Sequence, residues 1–278
     1  MKNTETRKLG FLKLRFTVKK GSKKEQAILK IIKFENYIKH LIRLSLGRLF
    51  NIKRTLHSFK LQGIQFHFYD TFPSFSAKNI AEELNNNISY KFDNLDFKPG
   101  DIVVDIGGNI GMVSIFLTKK YPFLKIYAFE PVKENFDNFK SNILLNKISD
   151  GIIHLENKAV TKDGRNVNLT FMRENSGGSN IFEIPNMTNK KSNISESLTL
   201  EQIFLENNIK DCKLLKMDCE GAEYEILYNA PVSILSRIKH LRGEFHANEH
   251  IPNSNPHKLL EYAGQYIINI DVDINEDI

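Results

Sequence analysis

The chain has 278 residues, of which 41% are hydrophobic and 26% charged, and a net charge of +6. That leaves room for one sizeable core plus an appendage and excludes a disordered or fibrous class. No apolar run approaches the roughly 18 residues of a membrane span, the MKNTETRKLG start lacks a signal's basic-then-apolar order, and Cys212 and Cys219 sit in no CxxC or Cys/His cluster, so a disulfide scaffold is not expected and a cytoplasmic location is.

Residues 1–60 carry 17 Lys and Arg against 3 Asp and Glu, and the remainder carries 22 against 30. The basicity therefore belongs to the N-terminal segment. Residues 1–23 are polar and basic, with an LGFLKLRFTV patch suited to a strand or a frayed extension. From Glu25 to about Phe50, Ile28, Ile31, Ile32, Ile38, Leu41, Ile42 and Leu49 recur at helical spacing, interrupted by Glu35 and Ser45, with Lys and Arg on much of the other face. Residues 1–56 thus read as a basic, partly helical extension. Its expected role is docking with its charges solvated; the alternative is peripheral contact with an anionic membrane or polymer. No reading motif accompanies the charge, so specific nucleic-acid binding is not expected.

Residues 57–278 read as a second domain. His57 to Tyr69 alternates about Gly63 as a hairpin, and residues 76–92 form a helix and an extended approach. Lys98-Pro99-Gly100 turns the chain into the core. Ile102, Val103, Val104 and Ile106 make a short β-branched strand of the kind covered on both faces. Gly107, Gly108 and Gly111 follow as a tight turn into a helix, and Tyr127-Ala128-Phe129 is a second strand ending at Glu130. An acid at the carboxyl end of that strand commonly holds a ribose hydroxyl pair.

The glycine turn decides which nucleoside is expected. A dinucleotide site needs G-x-G-x-x-G, yet Ile106 stands where its first glycine belongs. Asp105 precedes the turn instead, and a carboxylate there suits a cationic ligand and repels a pyrophosphate. S-adenosylmethionine (SAM), with its ammonium and sulfonium and no phosphate, fits better than a dinucleotide.

Beyond Glu130, a helix is expected over Val132 to Asn146, with Phe136, Phe139, Ile143 and Leu144 facing inward. Ile152 to Leu155 is a third strand, whose end would meet the adenine ring near Asn157 and Ala159. Arg165 to Met172 alternates as a strand, and residues 173–198 are polar and too long for a routine connector, so a lid, a substrate loop or a mobile insertion are equal readings. Then come a helix over Leu200 to Asn207, a strand over Lys213 to Asp218, a helix from Tyr224, a strand over His240 to His246, a helix over His257 to Gly264 and a strand over Tyr266 to Val272. This alternation predicts an α/β fold with a doubly wound, mostly parallel sheet. A seventh, antiparallel strand has little room.

Two stretches together resemble the FkbM family of SAM-dependent methyltransferases. One is VVDIGGNIG with FEP some twenty residues on; the other, more specific, is LTLEQIF…LLKMDCEGAEYEIL…GEFH. The resemblance covers about residues 95–270 and implies the class I SAM-methyltransferase fold. It also implies O-methylation of hydroxyls on sugars, polyketides or related products. Cys219 departs from it mildly, standing where hydrophobic residues such as Val are common.

The expected cofactor set is Asp105, Gly107, Gly108, Asn109, Gly111 and Glu130, with Asn157 and Ala159 on the adenine side. Glu244 and His246 sit two apart on a strand and share a face, near Asp218 and Glu220 at the acceptor end. His246 is the first candidate for general base because an unperturbed imidazole titrates near neutrality. The rival assignment gives that role to Asp218 or Glu220 and makes His246 a positioner. A divalent ion on this group lacks tight ligand spacing, so no metal is assigned. A scaffold that binds SAM without turnover, or that docks on membranes, is the alternative function.

Overall fold

The computed structural model describes residues 4–9, 14–74, 76–87, 90–172, 175–180, 190–247 and 254–275. The chain divides into two units, Met1–Lys53 and Arg54–Ile278.

In the first unit β1 (Thr4–Leu9) and β2 (Leu14–Lys19) form an antiparallel pair, and α1 (Lys23–Leu49) follows as one unbroken helix. Ser22 starts it by accepting the Glu25 N–H, while the Glu25 carboxylate accepts the Gly21 N–H at 2.6 Å. No helix among the described residues is long and apolar enough to cross a membrane.

The second unit opens with the hairpin β3 (Arg54–Leu61) and β4 (Ile64–Thr71), then α2 (Ser76–Asn86). The strands β5 (Ile102–Ile106), β6 (Lys125–Phe129), β7 (Ile153–Glu156), β13 (Leu214–Met217), β14 (His240–His246) and β15 (Asn269–Asn275) form a sheet in the order β15-β14-β13-β5-β6-β7. Every pairing in that sheet is parallel. Among the described residues it has no antiparallel seventh strand, and β15 begins at Asn269, three residues later than the Tyr266 start read from the sequence.

Alternation along the strands fills both faces. Val104, Ile106, Tyr127, Phe129, Leu215 and Met217 join α5 (Leu200–Glu206), α6 (Glu223–Asn229), α7 (Val232–Leu235) and α8 (Pro256–Ala263) in one core. Val103, Ile126, Ala128 and Leu214 face the other, with the hairpin, α2, α3 (Met112–Lys120) and α4 (Lys133–Leu145). Asp105 and Lys216 belong to this second face by the same alternation.

The apolar face expected of α4 is corrected. Leu144 is exposed, and the buried stripe is Asn135, Asn138, Phe139 and Asn142, continued by Asn146 just past the helix end. Their spacing of three or four puts the amides in line. Asn142 takes the Tyr69 N–H at 2.7 Å and donates to the Tyr69 and Ile110 carbonyls, and Asn146 pairs with His67 in the same way. The side-chain amides thus satisfy the free edge of β4, which would otherwise leave buried backbone groups unpaired.

Residues 157–198 leave the main sheet. β8 (Ala159–Val160) pairs in parallel with β12 (Ser197–Leu198), and β9 (Val167–Met172) lies between β10 (Asn175–Asn180) and β11 (Lys190–Ser195). The stretch read as a lid or insertion therefore contains three strands, β10, β11 and β12; its residues 173–174 and 181–189 lie outside the described ones. Thr199 then caps α5 with a reciprocal box, accepting the Gln202 N–H while the Gln202 side chain accepts its own.

Candidate active site

β6 follows β5 on one side of it and β13 lies on the other, so the strand order reverses beside β5. Ligands of open α/β sheets bind at such a reversal, beyond the carboxyl ends of the strands. A cleft of about 980 Å³, counting its open mouth, lies there, lined by Gly107, Asn109, Glu130, Ala159, Asp218 and Glu220 among others. Glu244 lines it from β14, and Ser76, Asn79, Glu83 and Tyr90 line it from α2 and the segment after it.

Glu130 is buried yet borders the cleft. Its carboxylate accepts the Asn109 N–H at 2.7 Å and the Val132 N–H at 2.9 Å. Burial pushes its pKa up to about 7, against the pull of those hydrogen bonds. Asn109 sits at φ 49°, and its buried Oδ1 has no hydrogen-bond partner among the described residues. An unsatisfied acceptor in a cleft wall is what a donor group on a ligand would complete.

Asp105 is placed differently from the sequence reading. Its carboxylate is 1% exposed, accepts the Ser114 hydroxyl at 2.6 Å and lies 3.2 Å from Lys216 Nζ, so it does not front the cleft. Parallel register explains this: Lys216 is the ladder partner of Asp105, so the two charges share a face. Lys216 Nζ also donates to the Gly107 carbonyl at 2.6 Å and is 4.0 Å from Asp218. Burial works against its charge, but Asp105 and then Asp218 outweigh that and hold its pKa above the ordinary lysine value. This clamp between turn and strand end was not read from the sequence.

The glycines serve packing as much as access. Gly107 has φ +77°, and a Cβ there would lie 1.9 Å from the Asp218 carbonyl oxygen. Gly108 and Gly111 lie off the cleft wall, where a Cβ would strike the Phe139 ring. Asn157 is also absent from the wall; its Nδ2 ties down the carbonyls of Glu130 and Pro131, shaping the turn after β6. Ala159 does line the cleft.

At the acceptor end Asp218, Glu220 and Glu244 face the cleft, and Tyr90 donates to Asp218 Oδ2 at 3.3 Å. Glu220 sits at φ 54°, a left-handed conformation uncommon outside glycine. Its pKa rises to about 8, chiefly through burial. His246 is corrected as the general base: it is 2% exposed and does not line the cleft. Burial alone would lower its pKa, but the Glu223 hydrogen bond and the charges of Glu220, Glu223 and Asp218 push it up to about 10. An imidazolium has no free lone pair to accept a proton at neutral pH. Glu83, which sequence reasoning passed over, lines the cleft instead and is raised to about 7 by burial and by Asp218, Glu244 and Asp273.

A model of the FkbM methyltransferase domain matches residues 105–263, more than half of the chain. The chain belongs to the FkbM methyltransferase family. Methyltransferase 1 of Beauveria bassiana is 27% identical over 154 residues, which span 49% of this chain and 61% of that protein. The 31-O-demethyl-FK506 methyltransferase FkbM of Streptomyces tacrolimicus is 22% identical over 61% of this chain and 75% of its own. Among solved structures, Trm5b of Pyrococcus abyssi covers 95% of this chain and 54% of its own at 14% identity, with a TM-score of 0.40.

The methyl donor of the FkbM methyltransferases is SAM, and the residues present fit it. Glu130 can accept a ribose hydroxyl pair and the orphaned Asn109 oxygen can accept a further donor. The acids around the cleft suit a ligand whose charged groups include an ammonium and a sulfonium.

Proposed function

We propose that the protein transfers a methyl group from SAM to a hydroxyl of a sugar, glycan or secondary-metabolite acceptor. The observation that carries this reading is the wall of carboxylates, Glu83, Asp218, Glu220 and Glu244, continuous with the Glu130 and Asn109 side of one cleft. Bound SAM supplies an activated methyl on a good leaving group. The chain's task is alignment, worth several powers of ten when reacting atoms are held at near-attack distance. Glu130 and Asn109 would fix the nucleoside, and Asp218 and Glu244 would hold acceptor hydroxyls as hydrogen-bond acceptors. A hydroxyl must also lose a proton. Glu83, poised near neutrality and open to the cleft, is the group we assign to take it. The name of the Streptomyces relative, a 31-O-demethyl-FK506 methyltransferase, agrees with an oxygen acceptor.

The test is turnover of SAM to S-adenosylhomocysteine against a panel of sugars, glycolipids and hydroxylated metabolites. Glu83→Gln should lower kcat by about 10²-fold or more, remove the acidic limb of the kcat profile taken at saturating SAM and leave SAM affinity nearly unchanged. Methylation confined to nitrogen acceptors rejects the reading, and an unaltered pH profile in Glu83→Gln moves the base elsewhere.

A second reading concerns the basic N-terminal unit, where Ile31, Phe34, Ile38, Leu41 and Ile42 of α1 are exposed. We propose that this unit contacts an anionic surface. Sedimentation of the full chain with phosphatidylglycerol vesicles should show salt-sensitive binding; its absence rejects the contact.

A further inference from the structure

The acceptor end of the cleft holds a constellation that proton transfer alone does not require. We propose that Asp218, Glu244 and His246 bind a divalent metal ion of the oxygen-preferring class, for which Mn²⁺ is the fitting probe. One ligand atom from each of the three lies within 4.8 Å of the others. They come from neighbouring strands, Asp218 just past β13 and Glu244 and His246 on one face of β14.

His246 gives the independent support. The ring is 2% exposed, and its Nδ1 meets Glu223 Oε1 at 3.5 Å. Glu223 is itself fully buried and is fixed by the Cys219 N–H at 2.9 Å. The other nitrogen, Nε2, faces the acids, 3.6 Å from Glu220 Oε2 and 3.8 Å from Glu244 Oε2. Among the described residues these two ion pairs, both with acids of the same group, are the contacts Nε2 makes, and both are longer than a hydrogen bond. A histidine with one nitrogen held by a buried carboxylate and the other offered to a group of acids is oriented as metal-bound histidines are.

The distances also suit an ion. Ligand atoms at adjacent corners of an octahedron with bonds of about 2.2 Å lie about 3 Å apart, so the Nε2 to Glu244 gap needs to close by only about 1 Å. The ion would take the place of the proton on Nε2. Lys216 is not a substitute for it: its ammonium is 4.0 Å from Asp218 and committed to Asp105 and to the Gly107 carbonyl. Two carboxylates to one imidazole, without a thiolate, favour Mn²⁺ or Mg²⁺ over a structural zinc site. Asp218 and Glu244 keep 26% and 38% of their side chains exposed, so an ion could enter from the cleft and keep open positions toward it. Those positions would receive acceptor hydroxyl oxygens. That last role rests on the proposed methyl transfer; the ion site itself does not.

The experiment titrates chelator-treated full-length protein with MnCl₂ and follows the electron paramagnetic resonance of free Mn²⁺. The inference expects one Mn²⁺ per chain, with affinity lowered about tenfold or more in Asp218→Asn and in Glu244→Gln. His246→Gln gives a third, independent variant, and circular dichroism melts identify any variant that has not folded. No Mn²⁺ bound by the wild-type protein at millimolar concentration overturns it, as does affinity unchanged in folded Asp218→Asn and Glu244→Gln. Mn²⁺ binding without methylation of any hydroxyl would reject the proposed function and leave the ion site standing; methylation without Mn²⁺ binding would do the reverse.

Discussion

Replacing Lys216 by Met is the perturbation whose size the structure defines best. The ammonium is 3% exposed and 3.2 Å from a carboxylate that is 1% exposed. At an effective dielectric of about 20, that separation gives an attraction of about 5 kcal/mol, offset in part by the desolvation of both ions. Lys216→Met leaves Asp105 charged, buried and without its cation, the situation that costs about 3–5 kcal/mol. It also removes the 2.6 Å hydrogen bond to the Gly107 carbonyl, which ties the glycine turn to β13. Urea denaturation should therefore show a stability loss of about 3–5 kcal/mol in the single variant. Pairing it with Asp105→Asn removes the orphaned charge, so the double variant should recover much of the loss. The reasoning is refuted if Lys216→Met costs under about 1 kcal/mol, or if the double variant is no more stable than the single one.

Glu130 makes a pH prediction. Its pKa of about 7 in the folded protein stands above the ordinary 4.5, so the free fold loses stability as pH rises from about 4.5 to about 7. A ribose diol donates to the ionised form, so SAM affinity should fall as pH drops below about 7. Calorimetric titration across that range checks it, and Glu130→Gln should bind weakly with that pH dependence removed; an unchanged affinity takes Glu130 out of the ribose site. Asn142→Ala leaves the Tyr69 N–H and two carbonyls without partners and should cost about 2–4 kcal/mol, whereas a loss below about 0.5 kcal/mol means water replaces the amide. Thr199→Ala breaks the capping box of α5 and should cost about 1 kcal/mol in a thermal melt, with no change in SAM affinity.

The sheet was legible because its inner strands are short β-branched or aliphatic runs bounded by glycine and acid, and β14 spans His240–His246 as read. Glu130, Asp218 and Glu244 reached the cleft because a strand's carboxyl end can be located from sequence alone. Which way a side chain points there is harder. Asp105 faces inward because Lys216 stands opposite it, and that pairing needs the register between two strands far apart in the chain. A lone lysine in an apolar strand was the available signal. Glu83 and Tyr90 were missed because nothing local to α2 says that it walls the cleft. The asparagine stripe of α4 was hidden by the helical rule that buried means apolar, which fails where amides stand in for a missing strand. β10 was read as a loop because Ser-Gly-Gly-Ser is poor in strand-forming residues, and its pairing with β9 overrides that preference.

A crystal structure of the protein soaked with S-adenosylhomocysteine tests the account's central claim most directly. The account predicts the nucleoside in the cleft beside β5, with both ribose hydroxyls on the Glu130 carboxylate and a ligand donor on Asn109 Oδ1. A nucleoside bound elsewhere, or one whose ribose leaves Glu130 untouched, contradicts it.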